Sequence, residues 1–383
     1  MKILRAIRSV NTELGGPVEG LIQSSKVLID KGHTVEVVSI DSPDDPFVKT
    51  FPVKLYTTGP GRGKYGFAVS YLNWLDENVK NYDCVIIEGL WQFHGYGASK
   101  TCRKHNVPYF IFIHGMLNPW SKKKYPLKHL KKWVYWILVE YGVLKNASAV
   151  LFTNSQEREE AKSIFWPNNY NAQVVRFGTS TPPSDANKYR NLFLDRFPET
   201  GNKRCLLFLS RIHPKKGCDL LIEAFARIKK ENDNLHLVIV GPDEIGWKKE
   251  LMAIAEKYNV HRHITWTGML SGDLKWGAYY HADAFILPSR YENFGIVVVE
   301  AMGCGLPVLI SNKINIYHDI EMDDAGLVEE DTVKGTENLI NRYLALPGEK
   351  RNNISNNARK CFQEKFGIEA AANSLLNVLE SKI

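Results

Sequence analysis

Cys205-Leu206-Leu207-Phe208-Leu209-Ser210-Arg211-Ile212-His213-Pro214-Lys215-Lys216-Gly217 is where this chain starts its pattern a second time. Five apolar residues read as a short buried strand. A polar loop follows, carrying Arg211 and Lys216, and Asp219–Lys229 then has the spacing of an amphipathic helix. The same succession opens the chain. Lys2–Ile7 reads as a strand, Gly15-Gly16 as a tight turn, and Val18–Asp30 as a helix stopped at Lys31-Gly32. Further strands are predicted at Thr34–Ile40, Cys84–Ile87, Tyr109–Ile113 and Ala149–Phe152 in the first half. His236–Val240, Ile264–Thr267 and Ala284–Leu287 follow in the second. Strands alternating with helices imply right-handed βαβ units and parallel sheets. The expected fold class is therefore α/β, with two doubly wound, Rossmann-like domains facing across a cleft and ligands at the carboxyl ends of the strands.

A chain of 383 residues has room for two such cores. The composition shifts at Thr179-Ser180-Thr181-Pro182-Pro183-Ser184-Asp185, and the linker is expected over 179–202, with a short helix at Asn191–Phe197. This gives an N-terminal domain at 1–180, a C-terminal domain at 201–360, and a last helical segment, 361–383, packing back on the first domain. Apolar residues make up 44% and charged residues 24%, as in a globular protein without membrane spans. The first residues read as a strand, not a leader, and the six cysteines form no CxxC pair or metal spacing. Reduced thiols and a cytoplasmic location are expected. The net charge of +7 suits anionic substrates or an anionic membrane surface, and no nucleic-acid motif is present.

Four segments fall at predicted strand ends. Gly15-Gly16 would let a phosphate or sugar approach the backbone. His114-Gly115 directly follows the apolar run 109–113. Arg211 and Lys216 suit a diphosphate. The fourth segment is Glu292-Asn293-Phe294-Gly295-Ile296-Val297-Val298-Val299-Glu300. Read as the entry of a buried helix, it sets two carboxylates about 12 Å apart, comparable to the length of a nucleotide-sugar, with the helix N–H groups at the anionic middle. Glu300 lies in an apolar run where an unpaired carboxylate would be costly.

In their order these segments resemble the retaining glycosyltransferases of family GT4, with the GT-B architecture. The Lys31-Gly32-His33-Thr34-Val35 approach and the run Glu300-Ala301-Met302-Gly303-Cys304-Gly305-Leu306-Pro307-Val308 strengthen the resemblance, which covers nearly the whole chain. It implies that Arg211 and Lys216 bind the diphosphate of a UDP- or GDP-linked sugar and stabilise the leaving group. Gly15 and Gly16 line the donor phosphate and acceptor side, and His114 lies beside the transferred sugar. Glu292, with the backbone of Asn293, Phe294 and Gly295, holds sugar hydroxyls and phosphate. Glu300 accepts hydrogen bonds from the ribose. Asn312–Asp319 and Arg176-Phe177-Gly178 depart from the family's usual residues and leave sugar and acceptor open.

The resemblance further implies transfer with retention to a glycan or lipid-linked acceptor, in polysaccharide or glycolipid biosynthesis. No carboxylate pair is set up in the glycosidase manner, which favours same-face attack with the leaving phosphate oxygen taking the acceptor proton. No Asp-x-Asp occurs, so no cofactor and no metal are expected. Trp120, Lys122, Lys123, Lys124, Tyr125, Lys128, Lys131, Lys132, Trp133, Tyr135 and Trp136 form a basic aromatic segment, 120–136. It suits an anionic bilayer at the inner face of the cell membrane, or else a helix packed on the N-terminal domain with solvated lysines. Two other functions stay open. One is a dinucleotide-dependent oxidoreductase with Glu36 as ribose acid, against which stands the missing third glycine of the fingerprint. The other is a non-enzymatic, membrane-docked subunit of the same fold.

Overall fold

The computed structural model describes residues 1–12 and 16–383, apart from the side chains of Ser121 and Lys123. The chain divides into two compact units, Met1–Gly178 with Ile368–Ile383, and Thr179–Gly367.

Among its described residues the first unit holds seven parallel strands: β1 Lys2–Ile7, β2 Thr34–Ser39, β3 Lys54–Thr57, β4 Cys84–Glu88, β5 Tyr109–Phe112, β6 Ala149–Phe152 and β7 Ala172–Val174. Their order is β3-β2-β1-β4-β5-β6-β7, so the order in which the chain adds strands reverses between β1 and β4. The pleat sends alternate side chains to opposite faces. Leu4, Ala6, Val85 and Ile87 enter one core with Tyr71, Phe93 and Trp136. Ile3, Cys84, Ile86 and Phe110 enter the other, where Ala372, Leu375 and Leu379 of the helix Ile368–Glu380 cover them. The last helix thus completes the buried face of the first sheet.

The second unit holds six parallel strands: β8 Arg204–Leu209, β9 Leu235–Val240, β10 Ile264–Gly268, β11 Ala284–Leu287, β12 Val308–Ser311 and β13 Gly326–Glu329. Their order is β10-β9-β8-β11-β12-β13, with the reversal between β8 and β11. The Pro-rich stretch after Gly178 is no free linker. Its helix Ala186–Arg196 lies against the helix Gly272–His281, where a Cβ on Gly277 would come within 2.4 Å of the Tyr189 carbonyl oxygen. All six cysteines are buried free thiols.

Candidate active site

In the first unit, the register sets Ile7 of β1 beside Glu88 of β4, and Glu88 beside Phe112 of β5. This row ends the strands on both sides of the reversal. Glu88 is buried, and Arg5 reaches one of its oxygens with Nε at 2.8 Å and Nη2 at 2.5 Å. The other oxygen lies 2.6 Å from His114 Nε2. Burial opposes the Glu88 charge, but Arg5 and His114 outweigh it and hold the carboxyl below its ordinary value. His114 has a positive φ of 51°, and its ring stacks on Phe112 at 5.0 Å, so packing and the carboxylate fix its orientation together. Gly115 N–H donates to Glu157 at 2.6 Å. Gly16 starts the helix Gly16–Asp30, and among the described residues a Cβ there would meet no atom within 4 Å. Gly15 lies outside the described residues.

In the second unit, the loop after β8 carries Arg211, Lys215 and Lys216. Pro214–Lys216 is a short 3₁₀ turn, capped by His213 Nδ1, which accepts the Lys215 N–H at 3.1 Å. Gly217 closes it at φ 72°. A Cβ there would come within 2.1 Å of the Pro288 carbonyl oxygen, so only glycine brings this loop against the end of β11. Burial, then the charges of Lys215 and Arg211, push the Lys216 ammonium down to about 7. Burial and Arg211 push Lys215 down to about 8. Cations that destabilise one another in this way are stabilised by an anion. Lys216 Nζ contacts the Glu292 carboxylate, and both side chains are largely covered. Arg211 is mostly exposed, and its Nη1 donates to Glu244 at 3.3 Å.

The helix of the fourth segment is Ile296–Gly303. The expectation of helical rise from Glu292 to Glu300 is corrected here. Glu292 lies on an extended stretch that bridges to Ile314, with its N–H on the Lys313 carbonyl oxygen at 2.9 Å. Gly295, at φ 74°, turns the chain into the helix and provides no side-chain cap. The first N–H groups of the helix are therefore available to an anion. Phe294 is buried, with its ring edge-on to Phe366 at 5.8 Å. Asn293 is half-buried beside it. Glu300 is buried but not unpaired. Lys275 Nζ donates to one oxygen at 2.7 Å and the Tyr279 hydroxyl to the other at 2.9 Å.

Sequence reading missed four of these residues. Glu88 directly ends an apolar strand, as His114 nearly does, and this was its available signal. Arg5 is a cation inside a buried strand. Lys275 and Tyr279 stand four apart on one helix and meet Glu300 as neighbours on one face. Glu36 is displaced from the role weighed for it. It sits mid-strand in β2, with its carboxylate taken by Lys54 at 2.7 Å and Tyr82 at 2.5 Å, and not at a strand end.

Comparison with known proteins identifies the family. The model for the glycosyl transferase 4-like domain matches residues 15–178, and that for glycosyl transferases group 1 matches residues 192–361. An uncharacterized glycosyltransferase of Methanocaldococcus jannaschii is 25% identical over 95% of this chain and 92% of its own length. A probable sucrose-phosphate synthase of Thermosipho melanesiensis is 24% identical over 97% of the chain and 92% of its own. The crystal structure of Anabaena HepE in complex with UDP and glucose has the same fold, with a TM-score of 0.78 at 20% identity over all of both chains. Each half of the chain carries its own glycosyltransferase domain, and the chain belongs to the GT4-type glycosyltransferases of GT-B fold.

Proposed function

We propose that this protein transfers a hexosyl group from a UDP- or GDP-sugar to a glycan or lipid-linked acceptor, with retention and without a metal ion. The observation that carries the reading is the loop Arg211–Lys216. Three basic side chains crowd at the carboxyl end of β8, beside a glycine-opened helix, where burial and mutual repulsion disfavour the charged forms of Lys215 and Lys216. In this reading the donor diphosphate relieves that repulsion. Lys216 and the N–H groups after Gly295 take up the charge that develops as the C–O bond to the phosphate breaks. Arg211 turns from Glu244 to the diphosphate. Glu292, with Asn293 and Phe294 backbone, holds sugar hydroxyls, and Glu300 holds the ribose while Lys275 and Tyr279 fix its rotamer. His114, oriented by Glu88, serves the sugar, and Gly15 and Gly16 line the donor phosphate and acceptor side.

Retention is supported by the engagement of these carboxylates. Glu292 is tied to Lys216 and Glu300 to Lys275 and Tyr279, which suits holding hydroxyls better than nucleophilic attack. Same-face attack, with the acceptor proton passing to the leaving phosphate oxygen, fits that arrangement. Metal independence rests on the cations that already serve the diphosphate. Among the described residues no three His, Cys, Asp or Glu side chains are grouped as a metal set. Polysaccharide or glycolipid assembly is the pathway class this acceptor chemistry implies.

A panel of UDP-, GDP- and ADP-sugars, scored by thermal stabilisation and then by transfer, tests the reading. One donor should stabilise the protein and be turned over with its anomeric configuration kept, and EDTA should leave the rate unchanged. Stabilisation by NAD and by no nucleotide-sugar, or an inverted product, would overturn it. Loss of rate with EDTA, restored by magnesium, would remove the metal-free step.

A further inference from the structure

Three consecutive residues, Arg290, Tyr291 and Glu292, meet the turn Pro214–Lys216. The Arg290 N–H donates to the Lys215 carbonyl oxygen at 2.8 Å, and its Nη1 donates to the Pro214 carbonyl oxygen at 2.7 Å. Tyr291 is buried, and Lys215 Nζ lies 4.6 Å over its ring. The Glu292 carboxylate contacts Lys216 Nζ. The segment after β11 thus grips the backbone of the turn at one end and the tip of its last lysine at the other.

By position, two residues before Glu292, Arg290 would count as one more cation for a diphosphate. Its guanidinium is committed elsewhere. Nη1 donates to Asp219 Oδ1 at 2.9 Å and Nη2 to Oδ2 at 2.6 Å, the two-pronged geometry of a strong pair. Asp219 is the acid in the first turn of the helix Cys218–Lys229, where attraction to the helix dipole is its ordinary use. Here both its oxygens are turned to Arg290. A fully exposed ion pair contributes little. This one is bidentate, about 30% and 24% exposed on its two sides, and joined to a backbone carbonyl. Such a contact fixes geometry. Lys216 needs that fixture, because burial and the charges of Lys215 and Arg211 disfavour its ammonium, and a loose turn would release it into water. Within the turn itself only short backbone contacts oppose this: the Lys216 N–H on the His213 carbonyl oxygen at 2.8 Å and the Gly217 N–H on that of Pro214 at 3.3 Å.

We propose that Arg290, oriented by Asp219, is a positioning residue that locks the turn Pro214–Lys216 against the segment of Glu292, so that Lys216 and Glu292 keep one fixed spacing. The inference rests on the reading of Lys216 as a cation for the donor diphosphate. Arg290 acts through Lys216 and gives its own charge to Asp219. It lies wholly within the second unit.

Asp219→Asn and Arg290→Gln test it in the full chain, singly, together and with Lys216→Ala. Each single variant should lower kcat for donor hydrolysis by about 10- to 100-fold, the scale of misplacing a reacting group by about 1 Å, while donor KM changes much less. The double variant should cost no more than either single one, because the two side chains act as one unit. On the Lys216→Ala background, Arg290→Gln should cost nothing further. In the ligand-free protein, hydrogen exchange over 214–217 should quicken in both single variants, while the helix Val333–Ala345 of the same unit keeps the parent rate. Parent-like kcat in Asp219→Asn overturns the proposal. So does a raised donor KM at unchanged kcat in Arg290→Gln, which would make Arg290 a direct donor contact, or exchange over 214–217 as slow as in the parent. Faster exchange throughout the second unit would make the pair a general stabiliser and likewise overturn it. Donor hydrolysis by the parent reads the transfer function separately. Its absence would remove that function and leave the exchange of the turn to decide whether Arg290 holds it.

Discussion

His114 Nε2 and Glu88 Oε2 lie 2.6 Å apart at the end of β4, and the second oxygen of Glu88 is held by Arg5 from β1. One buried carboxylate thus ties the orientation of the histidine to the cation of the neighbouring strand. Glu88 is a positioning residue in this arrangement.

Glu88→Gln should lower both stability and kcat. Breaking a buried ion pair leaves the other charge uncompensated, at a cost of about 3–5 kcal/mol, so the urea midpoint should fall. Nucleotide affinity should change little, because the residues proposed to hold the ribose and diphosphate, Glu300, Arg211 and Lys216, do not touch Glu88. An unchanged midpoint together with an unchanged kcat would remove Glu88 from this role.

Lys216→Ala should reduce kcat by about 10²–10³-fold, the scale of losing one transition-state charge stabiliser. Lys216→Arg should restore little of it, since the covered site beside Glu292 fits an ammonium. Arg211→Ala should fall in the same range of about 10²–10³-fold if the diphosphate draws the guanidinium off Glu244. Near-normal turnover of both alanine variants at saturating donor would exclude the diphosphate role of this loop.

Glu300→Gln should weaken nucleotide binding by roughly ten- to a hundredfold, from the loss of charge-assisted hydrogen bonds of about 1.5–3 kcal/mol. Calorimetry with UDP reads this directly. A Kd equal to that of the parent would mean that Glu300 serves Lys275 and Tyr279 and not the ribose.

Glu140→Gln should stabilise the protein increasingly as pH rises. The Glu140 carboxyl titrates at about 8 in the folded chain because burial dominates, against about 4.3 unfolded. Its contribution to stability is therefore fully present below about pH 4.3 and is lost as pH rises through about 8. Glutamine keeps an oxygen for the Trp91 N–H, which reaches Glu140 at 3.3 Å, and has no proton to lose. Melting temperatures of the two proteins should diverge from about pH 5 to about pH 8 and run parallel above. A constant difference across that range would show that Glu140 is ionised in its buried site.

The sequence by itself determined two successive strand–loop–helix systems, because buried strands, helix stops and glycine-opened turns are written in adjacent residues. β1, β6, β8 and β11 all coincide with short apolar runs, and Arg211, Lys216 and Glu300 stand at positions that local pattern alone singles out. Among the strands it left unread, β3 and β7 are half-exposed, with no apolar run, and β13 begins with glycine. β12 is a buried, mostly apolar run of four residues that the reading passed over because it directly continues the segment after Glu300. The partners of the site residues were decided by tertiary structure. Arg5 on β1, Glu88 at the end of β4 and His114 in the turn after β5 meet because parallel register sets Ile7, Glu88 and Phe112 in one row. Lys275 and Tyr279 meet Glu300 because two helices pack, and Trp136 turns inward while Leu138 turns outward. Composition and periodicity describe a segment's own faces. Which face meets which neighbour depends on strand order and register, and these follow from the packing of segments distant in the chain.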